Sequence, residues 1–124
     1  DRDVLAILAT GIMVHQADKV QAALFEQGIS AMVLDIHRIK PLNLDIIDLI
    51  LNMPIVTLEE HFLAGGFGSM IAEILTDEGL KNRLLRLGRT EEQGYCFTYG
   101  GREKIWEESG LDVESIVKRI VEWL

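Results

Sequence analysis

The stretch Val4 to Ala9 is a short, nearly unbroken apolar run that stops at Thr10-Gly11. A run of this length without polar alternation suits a strand buried on both faces, which in small domains means a parallel sheet covered by helices on either side. The period then changes. Met13, Ala17, Val20 and Leu24 recur at helical spacing, with His15, Gln16, Asp18 and Lys19 expected on the outer side and Gly28 as a left-handed cap. Strand, helix and cap form the first half of a βαβ unit. Ile29–Ile36 reads as the second strand, and Pro41 with Asn43 opens a helix whose apolar face is Ile46, Ile47, Ile50 and Leu51.

Ile55–Leu58 reads as the third strand, with the polar triplet Glu59, Glu60 and His61 following at its carboxyl end. Past Gly65-Gly66-Phe67-Gly68-Ser69 comes a helix carrying Phe67, Met70, Ile71, Ile74 and Leu75 on one side. Leu84–Leu87 is a shorter fourth strand, and Gly94–Gly101 a loop carrying Tyr95, Phe97 and Tyr99. Two helices end the chain. Arg102–Ser109 stops at Gly110, and the last helix has Asp112 as N-cap, a Leu111 to Ile116 staple and an apolar stripe of Val113, Ile116, Val117, Ile120, Val121 and Leu124. Alternating strands and helices predict a three-layer, doubly wound α/β domain: a mainly parallel sheet of four or five strands with helices on both faces. If the second and third strands flank the first, Thr10-Gly11 and Glu59-Glu60-His61 share the crevice at the switch point.

The chain's 124 residues, 48% of them apolar, describe one unit with enough core to fold without disulfide or metal. Lone Cys96 allows no internal bridge and reads as a small buried hydrophobe in a reducing, cytoplasmic setting. A net charge of -8 argues against nucleic acid or an anionic membrane as partner. No apolar run approaches the ~20 residues of a membrane span, and Asp1–Asp3 is no signal-peptide start. The absence of an initial Met, directly before an apolar strand, reads as a piece of something longer.

Gly66-Phe67-Gly68-Ser69-Met70-Ile71 superficially resembles a phosphate-cradling turn, but Ile71 stands where a third glycine belongs and the motif does not follow the first strand. Glycines permitting a tight turn and close packing are the simpler reading. Glu59, Glu60 and His61 are residue types that move protons. The plainer alternative has one carboxylate turned inward on backbone or interdomain donors while its neighbours meet solvent. His37, Arg38 and Lys40 read as a polar rim and His15 as a surface histidine. The end of the first strand lacks the clustered acids of a phosphate receiver, three scattered histidines and one cysteine make no zinc set, and no Gly-x-Ser-x-Gly elbow exists.

Four segments in order carry a resemblance: Leu8-Ala9-Thr10-Gly11-Ile12-Met13-Val14, Asp35-Ile36-His37-Arg38-Ile39-Lys40-Pro41-Leu42, Val56-Thr57-Leu58-Glu59-Glu60-His61 and Ala64-Gly65-Gly66-Phe67-Gly68-Ser69. Together they resemble the C-terminal domain of transketolase, which deoxyxylulose-phosphate synthases and 2-oxoacid dehydrogenase beta subunits share. The resemblance implies a dimeric enzyme dependent on thiamine diphosphate and Mg, with the cofactor held by pyrophosphate-binding and pyrimidine-binding domains that precede this one. It implies a non-catalytic assembly domain that binds neither cofactor nor metal alone. Thr10, Gly11, Glu59, Glu60, His61, Gly65, Gly66, Gly68 and Ser69 are then interdomain candidates, with no catalytic, cofactor or metal residue among them. Family members usually carry a further antiparallel strand before Val4, and the loop 95–101 resembles the synthase ending more than the transketolase one. Two other expectations stay open: a docking module for a basic partner, and a free-standing nucleotide or flavin binder at Gly66–Ser69.

Overall fold

The computed structural model describes residues 2–124; Asp1, the first residue of the Asp1–Asp3 stretch read as no signal-peptide start, lies outside them. Four strands form one parallel sheet: β1 (Leu5–Ala9), β2 (Ala31–Asp35), β3 (Ile55–Phe62) and β4 (Leu84–Arg89), in the order β2-β1-β3-β4. β1 is central and wholly buried, pairing Leu5 with Ala31 on one side and Ala6 with Ile55 on the other. Because side chains alternate across a strand, β1 feeds two cores. Leu5, Ile7 and Ala9 meet α1 (Met13–Glu26) and α5 (Val113–Trp123), whereas Ala6 and Leu8 meet α2 (Ile46–Ile50) and α3 (Phe67–Asp77). The expected three-layer, doubly wound architecture is the observed one, with four strands among the described residues and all of them parallel. No helix among the described residues is long and apolar enough to cross a membrane.

Local signals explain most boundaries. At the end of α1 the Gly28 N–H donates to the Phe25 carbonyl and Ile29 N–H to that of Leu24, a closure that needs the positive φ of Gly28. Asp112 caps α5 by accepting from the Ser115 N–H at 3.1 Å, and Leu111 and Ile116 are both buried as the staple requires. Between β4 and α5, α4 (Gly101–Ser109) ends on left-handed Gly110.

Several details differ from the sequence reading, beginning with β2, which spans Ala31–Asp35 rather than Ile29–Ile36. β3 runs on to Phe62, which pairs with Arg89, so Glu59, Glu60 and His61 belong to the strand. Its extension is supplied by β4, which is itself two residues longer than its apolar run. α2 begins only at Ile46, because the Asn43 side chain accepts from the Asp45 N–H and holds a turn before the helix; Leu51 is exposed. Gln16 is buried and donates to the Leu111 carbonyl at 2.9 Å, tying α1 to the start of α5. Val121 and Leu124 are exposed: an i, i+4 row turns by about 40° per step, and by Val121 it has left the core. Cys96 is half-buried in the loop, where its thiol donates to Glu108 at 3.3 Å.

Candidate functional site

The carboxyl ends of β1 and β3 lie side by side, Ala9 opposite Leu58, so Thr10-Gly11 and Glu59-Glu60-His61 stand at the same pole of the sheet. Strand alternation sends consecutive members of the triplet to opposite faces. Glu59 points to the α3 side. It is 1% exposed, and its two oxygens accept from the Phe67 N–H at 2.9 Å and the Gly68 N–H at 2.7 Å. Those are first-turn donors of α3, which have no partner within the helix and lie at the positive end of its dipole. Glu59 is the inward-turned carboxylate.

Three glycines give it room. A Cβ on Gly66 would collide with Glu59 Oε1 and the Phe62 carbonyl, and one on Gly68 would lie 2.6 Å from Thr57 Oγ1 and 2.9 Å from Glu59 Oε2. On the other side, a Cβ on Gly88 would stand 2.8 Å from Glu59 Cγ. The glycine-rich turn is therefore a cradle for an internal carboxylate, and the N–H groups that a phosphate would use are already bonded. Burial pushes the Glu59 carboxyl above its usual range, and the Gly68 and Phe67 N–H bonds, with the charges of Arg86 and His61, pull the other way. Arg86, from β4, donates to Ser69 Oγ at 2.9 Å, and Ser69 donates onward to the Leu63 carbonyl.

Glu60 faces α4, where one oxygen accepts from the Trp106 indole at 3.2 Å and pairs with Arg102 Nε at 3.2 Å. His61 is exposed. Thr10 and exposed Gly11 form the turn into α1, with the Thr10 carbonyl accepting from the Met13 N–H, and positive-φ Gly65 turns the chain toward α3. The structure thus unites Glu59, Gly66 and Gly68 in one cradle with Ser69 one residue beyond, sets Glu60 and His61 apart, and puts Thr10-Gly11 at the neighbouring strand end. Thr57, Arg86, Gly88, Arg102 and Trp106 were not singled out from the sequence. Arg86 and Gly88, two non-apolar residues two apart in a strand, were the available signal.

A buried carboxylate locked on a helix terminus and a second one held by an arginine and an indole form an architectural centre. Alongside this arrangement on a doubly wound parallel sheet, the sequence itself gives the class: the chain belongs to the transketolase C-terminal domain family, whose model matches residues 1–116. Among its relatives, a "putative transketolase C-terminal section" from Methanocaldococcus jannaschii is 38% identical over 122 residues, covering 98% of this chain and 37% of that protein. The 1-deoxy-D-xylulose-5-phosphate synthase of Clostridium acetobutylicum is 36% identical over 119 residues, covering 94% of this chain and 19% of the synthase. Among solved structures, a mutant transketolase from Pichia stipitis shares the fold with a TM-score of 0.69 at 18% identity, over 98% of this chain and 16% of that one. The transketolase of Campylobacter jejuni gives 0.67 at 14% identity, over 97% of this chain and 17% of that one.

The chain therefore spans 37% of one curated relative and about a fifth of the synthase. At the Gly66–Ser69 turn the residues present do not fit the diphosphate of thiamine diphosphate, the cofactor that the resemblance implies for the whole enzyme. Glu59 takes the helix N–H groups a diphosphate would need, and no three His, Cys, Asp or Glu side chains among the described residues converge as a metal set.

Proposed function

We propose that this chain is a single, non-catalytic C-terminal assembly domain of a thiamine-diphosphate-dependent, cytoplasmic ketol transferase of the transketolase type. It works beside pyrophosphate-binding and pyrimidine-binding domains that reside upstream or in a companion subunit, within a homodimer. The observation that carries this reading is the engagement of Glu59: its carboxylate holds α3 through two N–H bonds and is 1% exposed, so it stiffens the pole of the sheet rather than meeting a substrate. A rigid pole suits a surface against which other domains are set. Catalytic geometry gains from such support because misplacement by about an ångström can cost a hundredfold in rate. Thr10, Gly11, His61 and Gly65 are the members of this pole proposed to meet the neighbouring domains.

The curated relatives also favour a second reading of the reaction, formation of 1-deoxy-D-xylulose 5-phosphate, since a synthase is 36% identical to this chain. One experiment addresses both. The chain is combined with an N-terminal section that carries the two cofactor-binding domains, and ketol transfer and deoxyxylulose-phosphate formation are each measured. Activity that rises on mixing, with none from the chain alone, is the expected outcome. Turnover of a ketose phosphate by the chain alone, or no gain over the N-terminal section, would overturn the assembly role.

A further inference from the structure

Between β4 and α5 the chain makes an excursion, residues 94–110, that is lightly fastened to the sheet. We propose that it is a strap which opens and closes over the carboxyl ends of β3 and β4 without unfolding the sheet, with Glu60 as its latch. Burial holds it weakly. Of the nine residues of α4 only Ser109 is buried, whereas α5 buries Ile116, Val117 and Ile120. In the limb that leads into α4, Tyr95, Phe97 and Tyr99 are 76%, 88% and 99% exposed, so three aromatic rings contribute little to closure. Ile105 and Trp106, both half-buried, supply the apolar contact of α4. Even there a cavity of about 370 Å³ draws its lining from both sides, Glu60 and His61 on the strand and Arg102, Ile105 and Trp106 on the helix, where a close-packed layer would leave none.

The other fastenings are local. One Glu60 oxygen accepts from the Trp106 indole and pairs with Arg102, at 3.2 Å each, so a single side chain of β3 holds α4 at two positions four residues apart. The ion pair stays partly in water, its side chains 56% and 28% exposed, and such a pair holds little by itself. At the start of the strap the Tyr95 ring meets Phe62 edge-on at 5.7 Å, and Arg89 donates to the Gly94 carbonyl. Within it the Cys96 thiol donates to Glu108, which ties limb to helix so that the two travel together. Both ends are glycines in left-handed backbone, Gly94 at φ 59° and Gly110 at φ 70°, and a Cβ on either would meet nothing within 4 Å among the described residues. Unlike the cradle glycines, they are not there to make room. They supply backbone that tolerates a wide range of dihedral angles, as a hinge needs. Opening bares the Trp106 ring and the Glu60 face of β3, which are half-buried while the strap is closed.

Amide exchange of the whole chain, followed by NMR at a series of sub-denaturing urea concentrations, tests the strap. The amides of residues 105–109, bonded within α4, should exchange through an opening that is nearly insensitive to urea. Those of β1 and α5 should follow global unfolding and quicken steeply as urea rises, because only that event exposes the core. Glu60→Ala should speed exchange at 105–109 about tenfold or more relative to β1. Trp106→Phe, which takes away the indole N–H and leaves β3 intact, should do the same, and Glu103→Gln, at an exposed position of α4, should change nothing. Exchange at 105–109 that matches β1 in rate and urea dependence, a complete lack of protection there, or protection relative to β1 that neither Glu60→Ala nor Trp106→Phe moves would each overturn the inference. The measurement needs no catalytic half, so a negative result here leaves the assembly role standing.

Discussion

Replacing Gly68 with alanine tests the cradle directly. The new Cβ would lie 2.6 Å from Thr57 Oγ1, 2.9 Å from Glu59 Oε2 and 3.1 Å from Arg86 Cδ. Arg86 is exposed and can shift, but Thr57 and Glu59 are buried to 0% and 1% exposure and have nowhere to go. Overpacking of this kind costs about 1–3 kcal/mol. Displacing the carboxylate also weakens its 2.7 Å bond to the Gly68 N–H, a charge-assisted contact of about 1.5–3 kcal/mol. Alanine's better helix propensity returns at most about 1 kcal/mol. The net loss is roughly 2–4 kcal/mol, which at a urea m-value of about 2 kcal/mol/M lowers the midpoint by about 1–2 M. Thr57 supplies an internal control, because its hydroxyl has no partner among the described residues and makes the closest approach to the new Cβ. Thr57→Ala should therefore recover part of the loss in the Gly68→Ala background while gaining nothing alone, a coupling of the kind expected for touching residues. A Gly68→Ala chain as stable as the parent, at unchanged m, would refute the reasoning.

The raised carboxyl of Glu59 makes its contribution depend on pH with a definite sign. Its proton is held more tightly in the folded than in the unfolded chain, so its stabilisation is full below the unfolded value near 4.5 and is lost as pH rises through the folded value. The stability difference between parent and Glu59→Gln, followed by urea titration, should shrink from pH 4 toward neutrality; growth over that interval would mean that the N–H bonds outweigh desolvation. Gln16→Ala leaves the Leu111 carbonyl without its donor and should cost about 1–3 kcal/mol, read as a lower melting midpoint. Removing the cap with Asp112→Ala should cost about 1 kcal/mol, measured the same way and accompanied by faster amide exchange at Ser115.

The elements that were legible from the sequence are those whose signal is local. An unbroken apolar run, a row of residues at helical spacing and a glycine after the last helical turn each report on a few neighbouring backbone angles, and β1, α1, α3 and α5 follow from them. The misjudged positions have remote causes. Gln16 looks like a surface residue until the Leu111 carbonyl, ninety-five positions away, arrives to accept from it. Leu51 and Val121 have the right spacing for burial, yet among the described residues each stays nearly half exposed. Glu59-Glu60-His61 reads as a polar strand end because the partner that prolongs β3, residues as far as Arg89 on β4, cannot be inferred from the triplet itself.

The sequence by itself determined the doubly wound α/β class, the family resemblance and the pole at which polar residues gather, because periodicity and motif order survive without knowledge of contacts. Only the tertiary structure decided what those residues do. Two adjacent glutamates are chemically identical in the chain, and strand alternation sends one into a glycine cradle on α3 and the other to an arginine and an indole on α4. Likewise, the same glycine turn could have held a phosphate or served packing; a carboxylate eight residues upstream reaches the helix N–H groups first and leaves them no second partner. Such choices rest on which groups meet across elements, and that is set when the layers pack.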